Sequence, residues 1–268
     1  MAWPEGTAVG IRLRLMSWNV HGCVGIGRDP DPSRIAEVIA QHAPDVVALQ
    51  ELDVNRRRSG RLDQVQAIAG ALRMTGHFHP ALEVREERYG DAILSGLPMR
   101  LKRVGRLPGP PRREPRGVLW AVVEPAPGAA LQVLNTHFGL SRRERLIQAE
   151  ELLGPDWLGH PDCTGPVALL GDLNTMPRSS ALRRLLESGL RDAQRALPGQ
   201  RPRPTFPARF PALRLDHVLL RGPVEVLRAK VCDGVLERAA SDHLPVLVEI
   251  SLPAGGQCAV ASGGTPRT

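Results

Sequence analysis

Val167-Ala168-Leu169-Leu170-Gly171-Asp172-Leu173-Asn174 sets four apolar residues directly before an acidic and an amide side chain two positions apart. A short continuous apolar run bounded by such residues reads as a buried strand. Residues at i and i+2 leave a strand on the same face, so Asp172 and Asn174 emerge together from its carboxyl end. The same arrangement recurs along the chain. Asn19 and His21 follow a strand expected over 11–18, Gln50 and Glu51 follow Val46-Val47-Ala48-Leu49, and Asn135 and His137 close a strand expected over 131–136. Asp216 lies in a strand expected over 214–220, and Asp242 and His243 stand just before a last strand over 244–251. Each segment alone reads as a turn former or a solvated pair. Five of them at strand ends read as a site, because a rigid sheet holds loop residues to a fixed geometry.

Between these segments the punctuation is that of an α/β chain. Ser33 is placed to cap a helix over 34–43, with Ile35, Val38 and Ile39 at helical spacing. Further helices are expected near 62–73, 141–153 and 179–188, and a meander of antiparallel strands near 77–84, 91–95, 99–106, 118–124 and 131–136. Four prolines between Leu107 and Gly117 mark a surface loop, which carries Arg112, Arg113 and Arg116 and is placed to overhang an anion or simply to face solvent. Strand–helix–strand order appears once in each half, the expectation for a two-layered β core with helices outside. No linker divides the chain. A flexible N-terminus over 1–10, a single domain over 11–252 and a disordered Gly/Ser-rich tail over 253–268 are expected.

The bulk numbers exclude more than they select. With 42% hydrophobic and 24% charged residues in 268, the chain has an ordinary globular composition, neither fibrous nor disordered. The net charge of +7 points toward an anionic partner, but nearly all the basic residues are arginine in a chain also rich in alanine, proline and glycine, a bias that GC-rich coding produces without any partner. Four cysteines without C-x-x-C spacing signal neither a zinc knuckle nor a redox pair and fit free thiols in a reducing compartment. No stretch approaches the roughly 20 apolar residues of a membrane span. A soluble, cytoplasmic, monomeric protein without stable membrane insertion is the expectation.

Taken in order, SWNVHG (17–22), DVVALQELD (45–53), YGDAILSGLP (89–98), NTHFGL (135–140), LLGDLNTMP (169–177), RLDHVLL (214–220) and SDHLPVLVEI (241–250) resemble the endonuclease/exonuclease/phosphatase superfamily. That group includes pancreatic-type deoxyribonuclease, abasic-site endonucleases, neutral sphingomyelinases and inositol-polyphosphate phosphatases. The resemblance covers effectively the whole expected domain. It implies a four-layered α/β sandwich, two packed mixed β-sheets flanked by helices, and a metal-dependent hydrolase of phosphate esters acting by in-line attack of water.

By the same resemblance, Glu51 corresponds to the principal metal-ligand carboxylate, with Asn19 beside it and Asp242 a further carboxylate at or near the ion. Mg²⁺, with Mn²⁺ as substitute, suits such hard oxygen ligands. Asp172 matches the residue that orients or deprotonates water, and Asn174 the one that hydrogen-bonds a phosphate oxygen. His243 matches the active-site histidine and Asp216 its carboxylate partner. His137 matches the second histidine of the deoxyribonuclease and sphingomyelinase branches.

Departures narrow the branch. His21 stands where abasic-site endonucleases place an acidic residue, and Leu52-Asp53 follows Glu51 where those enzymes favour Thr-Lys, so abasic-site repair ranks low. Few aromatic residues are on offer to stack bases, and no apolar loop of the kind a membrane-acting relative exposes is evident. Arg145, on a charged helix, is a candidate phosphate anchor or a solvated arginine. Nucleic acid, phospholipid head group and small phosphorylated metabolite remain as substrate classes. The pattern as a whole is closest to small bacterial members of unassigned substrate. The rival from another class is a silent member that binds an anion or a partner through the same cleft.

Overall fold

The apolar runs pair into two sheets in a computed structural model, which describes residues 10–253. The expectations for the N-terminus and the tail therefore lie almost entirely outside the described residues. Strands β1 (Ile11–Asn19), β2 (Val46–Val54), β3 (Thr75–Val84), β4 (Glu87–Ser95), β11 (Glu225–Val231) and β12 (Val246–Leu252) form one sheet in the order β11-β12-β1-β2-β4-β3. Strands β5 (Met99–Leu107), β6 (Arg116–Ala126), β7 (Ala129–His137), β8 (Val167–Asp172), β9 (Arg191–Asp192) and β10 (Asp216–Arg221) form the other, in the order β5-β6-β7-β8-β10-β9. Each sheet holds one parallel pair, β1 with β2 and β7 with β8. A parallel pair needs a crossover, and helices α1 (Pro32–His42) and α3 (Arg142–Leu153) supply the two.

The sheets face each other through aliphatic side chains. Leu15, Val46, Ala48 and Ile93 of the first pack on Leu119, Val133, Ala168 and Leu170 of the second. The outer faces are apolar too. α1 and α2 (Gln64–Leu72) cover Trp18, Val47 and Leu49, while α3 and α4 (Ser180–Glu187) cover Trp120, Leu134 and Leu169. Burial on both faces is why these strands read as continuous apolar runs without alternation. The result is the expected four-layered sandwich.

Several local expectations change. Asp31, not Ser33, caps α1: its carboxylate accepts from the Ser33 and Arg34 N–H groups, and Pro32 takes the first helical position, where a missing N–H costs nothing. The expected meander is split. β3 and β4 form a hairpin in the first sheet, and the chain then crosses at Gly96-Leu97-Pro98 to build β5, β6 and β7 in the second. Three elements were not foreseen: the two-residue β9, the charged edge strand β11, and α5 (Val235–Ala240), a six-residue helix with no side-chain cap. All three are too short or too polar for periodicity to reveal.

The decisive irregularity is in β2. Its ladder with β4 runs in register to Leu49 opposite Ala92 and resumes at Leu52 opposite Gly90, so β2 carries one extra residue at Gln50-Glu51. Such a bulge re-aims a side chain and leaves carbonyls without ladder partners. Asn135 of β7 supplies those partners from the opposite sheet. Its Nδ2 donates to Leu49 O at 2.9 Å and Ala92 O at 2.8 Å, and its Oδ1 accepts from Gln50 Nε2 at 2.8 Å. Gln50 and Asn135, expected near the chemistry, therefore fasten the two sheets behind it. Asn135→Leu strips three buried bonds at a cost on the order of 3 kcal/mol. For a domain this size, that lowers Tm by roughly 6–12 °C. A melt superimposable on that of the wild type would show that the bulge holds without the amide.

Candidate active site

The five strand-end segments converge on one edge of the sandwich. β1 and β2 deliver Asn19 and Glu51, β7 and β8 deliver His137 and Asp172 with Asn174 just beyond, β10 begins at Asp216, and the turn before β12 brings Asp242 and His243. The backbone is strained where it matters: Glu51 has φ 63°, Asn174 φ 47° and His21 φ 48°, the left-handed region for non-glycine residues. Gly171 is required for a different reason. A Cβ there would sit 1.9 Å from Thr136 O, so only glycine lets β8 approach β7 closely enough to bring Asp172 beside His137.

Hydrogen bonds and close ionic contacts connect the set. Asn19 Nδ2 donates to Glu51 Oε1 at 2.9 Å and to Asp172 Oδ2 at 3.0 Å, while its Oδ1 accepts from the His21 N–H at 3.0 Å. His21 Nδ1 lies 3.5 Å from Glu51 Oε2 and 3.8 Å from Asp242 Oδ2, so one ring nitrogen joins the carboxylates of two distant segments. His243 Nδ1 meets Asp216 Oδ2 at 2.9 Å, and its Nε2 points back to Asp172 Oδ2 at 3.7 Å. The turn carrying His243 is pinned to β1, because Trp18 Nε1 donates to His243 O and Ser241 Oγ to Asn19 O.

Burial and charge set opposite tendencies on these groups. Desolvation opposes a charge on His243, but Asp216, Asp172 and Asp242 outweigh it and raise the imidazole to about 10. Burial, and then the Asp216 carboxylate directly across the β8–β10 ladder, raise Asp172 to about 6. Glu51 is held well below the usual carboxylate range. Its burial pushes the other way, and the interactions with the His21 and Asn19 side chains prevail. His137 is lowered to about 3 by burial and by Arg116. Two buried carboxyl–imidazole systems pushed in different directions are the signature of assigned proton roles.

The donor set fits a hard divalent cation. Glu51 and Asp242 are carboxylates that both approach His21 Nδ1, with side chains 21% and 42% exposed, so they offer oxygen ligands and access for water, though an ion shared between them would have to displace that imidazole and draw them together. Asp172, Asp216 and His243 form a tighter group, their ligand atoms within 4.8 Å of one another. In that group Asp216 Oδ2 is taken by His243 and by Thr205 Oγ1, while Asp216 Oδ1 is buried without a partner, so the group can serve proton transfer or offer a ligand to an ion. Asn19 turns N–H groups toward two carboxylates and so positions them. Offering its oxygen as a ligand would require the amide to rotate.

Other expected residues fall outside the pocket. Arg145 donates to Leu140 O at the start of its own helix, and Arg112 and Arg113 are exposed. Arg116, the third arginine of that loop, is buried, with Nη1 2.9 Å from His137 Nδ1. Asp91, opposite the bulge, accepts from the Glu51 N–H at 3.4 Å and is raised by burial to about 7. Nothing in the sequence singled out Asp91. Arg116 was noted only as one of three loop arginines. Apolar side chains do reach the surface: Ile26, 72% exposed, lines a cavity of about 250 Å³ with His21, Arg209 and Asp242, and Phe210, 73% exposed, follows Arg209 in the chain. These two residues stand singly and make no apolar run.

The sequence pattern described as the Endonuclease/Exonuclease/phosphatase family matches residues 16–243, nearly the whole described chain. The chain belongs to this family. Over 168 residues it is 31% identical to a protein of Escherichia coli strain K12 described as the uncharacterized protein YbhP, a match spanning 62% of this chain and 64% of that one. A crystal structure of an endonuclease/exonuclease/phosphatase from Beutenbergia cavernae DSM 12333 superposes with a TM-score of 0.72 at 26% identity, over 91% of this chain and 72% of that one. The mannosyl-6-phosphatase Bt3783 of Bacteroides thetaiotaomicron VPI-5482 shares the fold at 20% identity, with a TM-score of 0.71 over 89% of this chain and 99% of that one. Family membership supports a phosphoester hydrolase as the general class, and no helix among the described residues is long and apolar enough to cross a membrane.

Proposed function

We propose that this family member is a Mg²⁺-dependent phosphodiesterase, with Mn²⁺ able to substitute, that hydrolyses its substrate by in-line attack of water and without a covalent intermediate. The observation that supports the reading is the meeting of Glu51, Asp172, Asn174, Asp216, Asp242 and His243 in one contiguous cluster of contacts from segments spread over the chain. Glu51 and Asp242 would hold the ion and Asn19 would hold Glu51. A bound ion supplies Lewis-acid neutralisation of charge on the phosphoryl oxygens. Asp172, raised toward neutrality, takes a proton from the attacking water. His243, kept charged by Asp216, faces the charge that develops on the phosphoryl and leaving oxygens and returns a proton to the latter. Asn174 and His137 donate to a non-bridging oxygen. A silent anion-binding relative would be expected to have lost part of this set, and every member is present.

Within this class a nucleic acid, a phospholipid head group or a small phosphorylated metabolite is the substrate, and the protein acts as a cytoplasmic monomer. Hydrolysis of bis-p-nitrophenyl phosphate with Mg²⁺, with Mn²⁺ and with EDTA tests the reaction. Turnover that ignores the chelator would end the metal assignment. A panel of plasmid DNA, RNA, sphingomyelin, phosphoinositides and simple phosphomonoesters then orders the substrates. Glu51→Ala should raise the Mg²⁺ concentration for half-activation by at least about tenfold, since a buried ligand and its pairing with His21 are both removed. An unshifted activation curve would move the ion elsewhere.

A further inference from the structure

Arg116 opens β6 and is buried, 7% exposed, where its neighbours Arg112 and Arg113 face solvent. Its Nη1 donates to His137 Nδ1 at 2.9 Å and meets Glu114 Oε1 at 2.8 Å. A guanidinium has only donors and keeps its charge in proteins, so His137 Nδ1 must accept. A neutral imidazole with an accepting Nδ1 carries its proton on Nε2. That nitrogen lies 3.5 Å from Asp172 Oδ2 and 3.9 Å from Glu51 Oε1, so two carboxylates stand near the N–H.

A competing donor makes the arrangement informative. Asn174 Nδ2 comes within 3.0 Å of the same Nε2 while also donating to Phe138 O at 2.9 Å. A neutral ring cannot accept at both nitrogens, so one donor must yield. A hydrogen on Nδ1 would oppose a full positive charge at hydrogen-bond distance. A hydrogen on Nε2 opposes one N–H of a neutral amide that keeps its bond to Phe138 O, and it gains two nearby carboxylates. Hydrogen bonds from charged donors are roughly twice as strong as neutral ones, so the arginine prevails.

We propose that Arg116 is a positioning residue that fixes His137 as the Nε2–H tautomer, which makes His137 a hydrogen-bond donor to the phosphate and excludes it as the base and as an Nε2 metal ligand. Only the identity of the acceptor rests on the phosphoester reading; the tautomer does not. Proton abstraction from water is thereby left to Asp172.

The test is long-range ¹H–¹⁵N correlation of the full chain with ¹⁵N-labelled histidine at neutral pH, the His137 signals being assigned by their loss in His137→Gln. The expected wild-type spectrum has a protonated Nε2 and an unprotonated Nδ1. Arg116→Lys, still a charged donor, retains that pattern, and Arg116→Met shifts it toward the Nδ1–H form. On bis-p-nitrophenyl phosphate, Arg116→Met lowers kcat roughly 10- to 100-fold with KM little changed, and Arg116→Lys recovers most of the loss. A wild-type spectrum with the proton on Nδ1 overturns the proposal, as does an unaltered His137 pattern in Arg116→Met. A wild-type protein with the expected tautomer but no metal-dependent turnover would instead sink the phosphoester reading and leave the assignment of Arg116 standing.

Discussion

Asp172→Asn lowers kcat on bis-p-nitrophenyl phosphate by about three orders of magnitude, the middle of the range expected when a positioned base is lost. KM and the Mg²⁺ activation curve change only a few-fold. The substitution keeps shape and volume, and its one oxygen can still accept from either Asn19 Nδ2 or the Asn174 N–H, so one of the two hydrogen bonds is kept and the other lost. What disappears is the carboxylate that burial and Asp216 hold near 6, poised to take a proton at neutral pH. Stability should move the other way. A fully buried carboxylate facing a second across a ladder is unfavourable in the fold, so the amide leaves Tm unchanged or raises it, a trade of activity against stability common at such sites. The measurement is a pair: steady-state kinetics and a thermal melt on one preparation. Near-wild-type turnover would remove Asp172 from the chemistry, whatever the melt shows.

His243→Ala should reduce turnover by a similar factor, about a thousandfold, but with a different signature. In the wild-type protein the imidazole is raised to about 10 by Asp216, Asp172 and Asp242 against the opposing effect of burial. It is therefore protonated throughout the neutral range, and activity that depends on the imidazolium should persist into alkaline solution and fall only as pH approaches that value. The variant loses this alkaline limb altogether. Asp216 loses its imidazole partner and keeps Thr205, so Asp216→Asn in the His243→Ala background should add little further loss, because the two act as a unit. An alkaline limb that survives in His243→Ala would assign that titration to another group.

How much of this was legible beforehand differs by element. The strands around Leu15, Val47, Leu134 and Leu169 were readable because burial on both faces writes an unbroken apolar run. The ends of those strands were readable because a polar residue stops the run. Asp172 with Asn174, and Asp242 with His243, belong to such local patterns. α5 and β11 were not readable: six uncapped residues show no helical period, and an edge strand with alternate charges resembles a loop. Asp91 was invisible for another reason, since it stands inside the apolar stretch of β4 and matters only because the bulge of β2 falls opposite to it.

The sequence by itself thus determined the layered α/β architecture, the family and the identity of the side chains that meet at the site, because apolar period and residue type are local properties. Tertiary structure decided what each of them does. Gln50 and Asn135 became inter-sheet fasteners while Glu51, one position on, became the part-exposed carboxylate of the site, since a single bulged residue changes which face a side chain leaves. Arg116 reached His137 while Arg112 and Arg113 turned to water, because β6 begins at Arg116 and carries it into the sheet. Hydrogen-bond direction, tautomer and pKa depend on groups tens to hundreds of residues away, and only the packing of one sheet on the other brings those groups within reach.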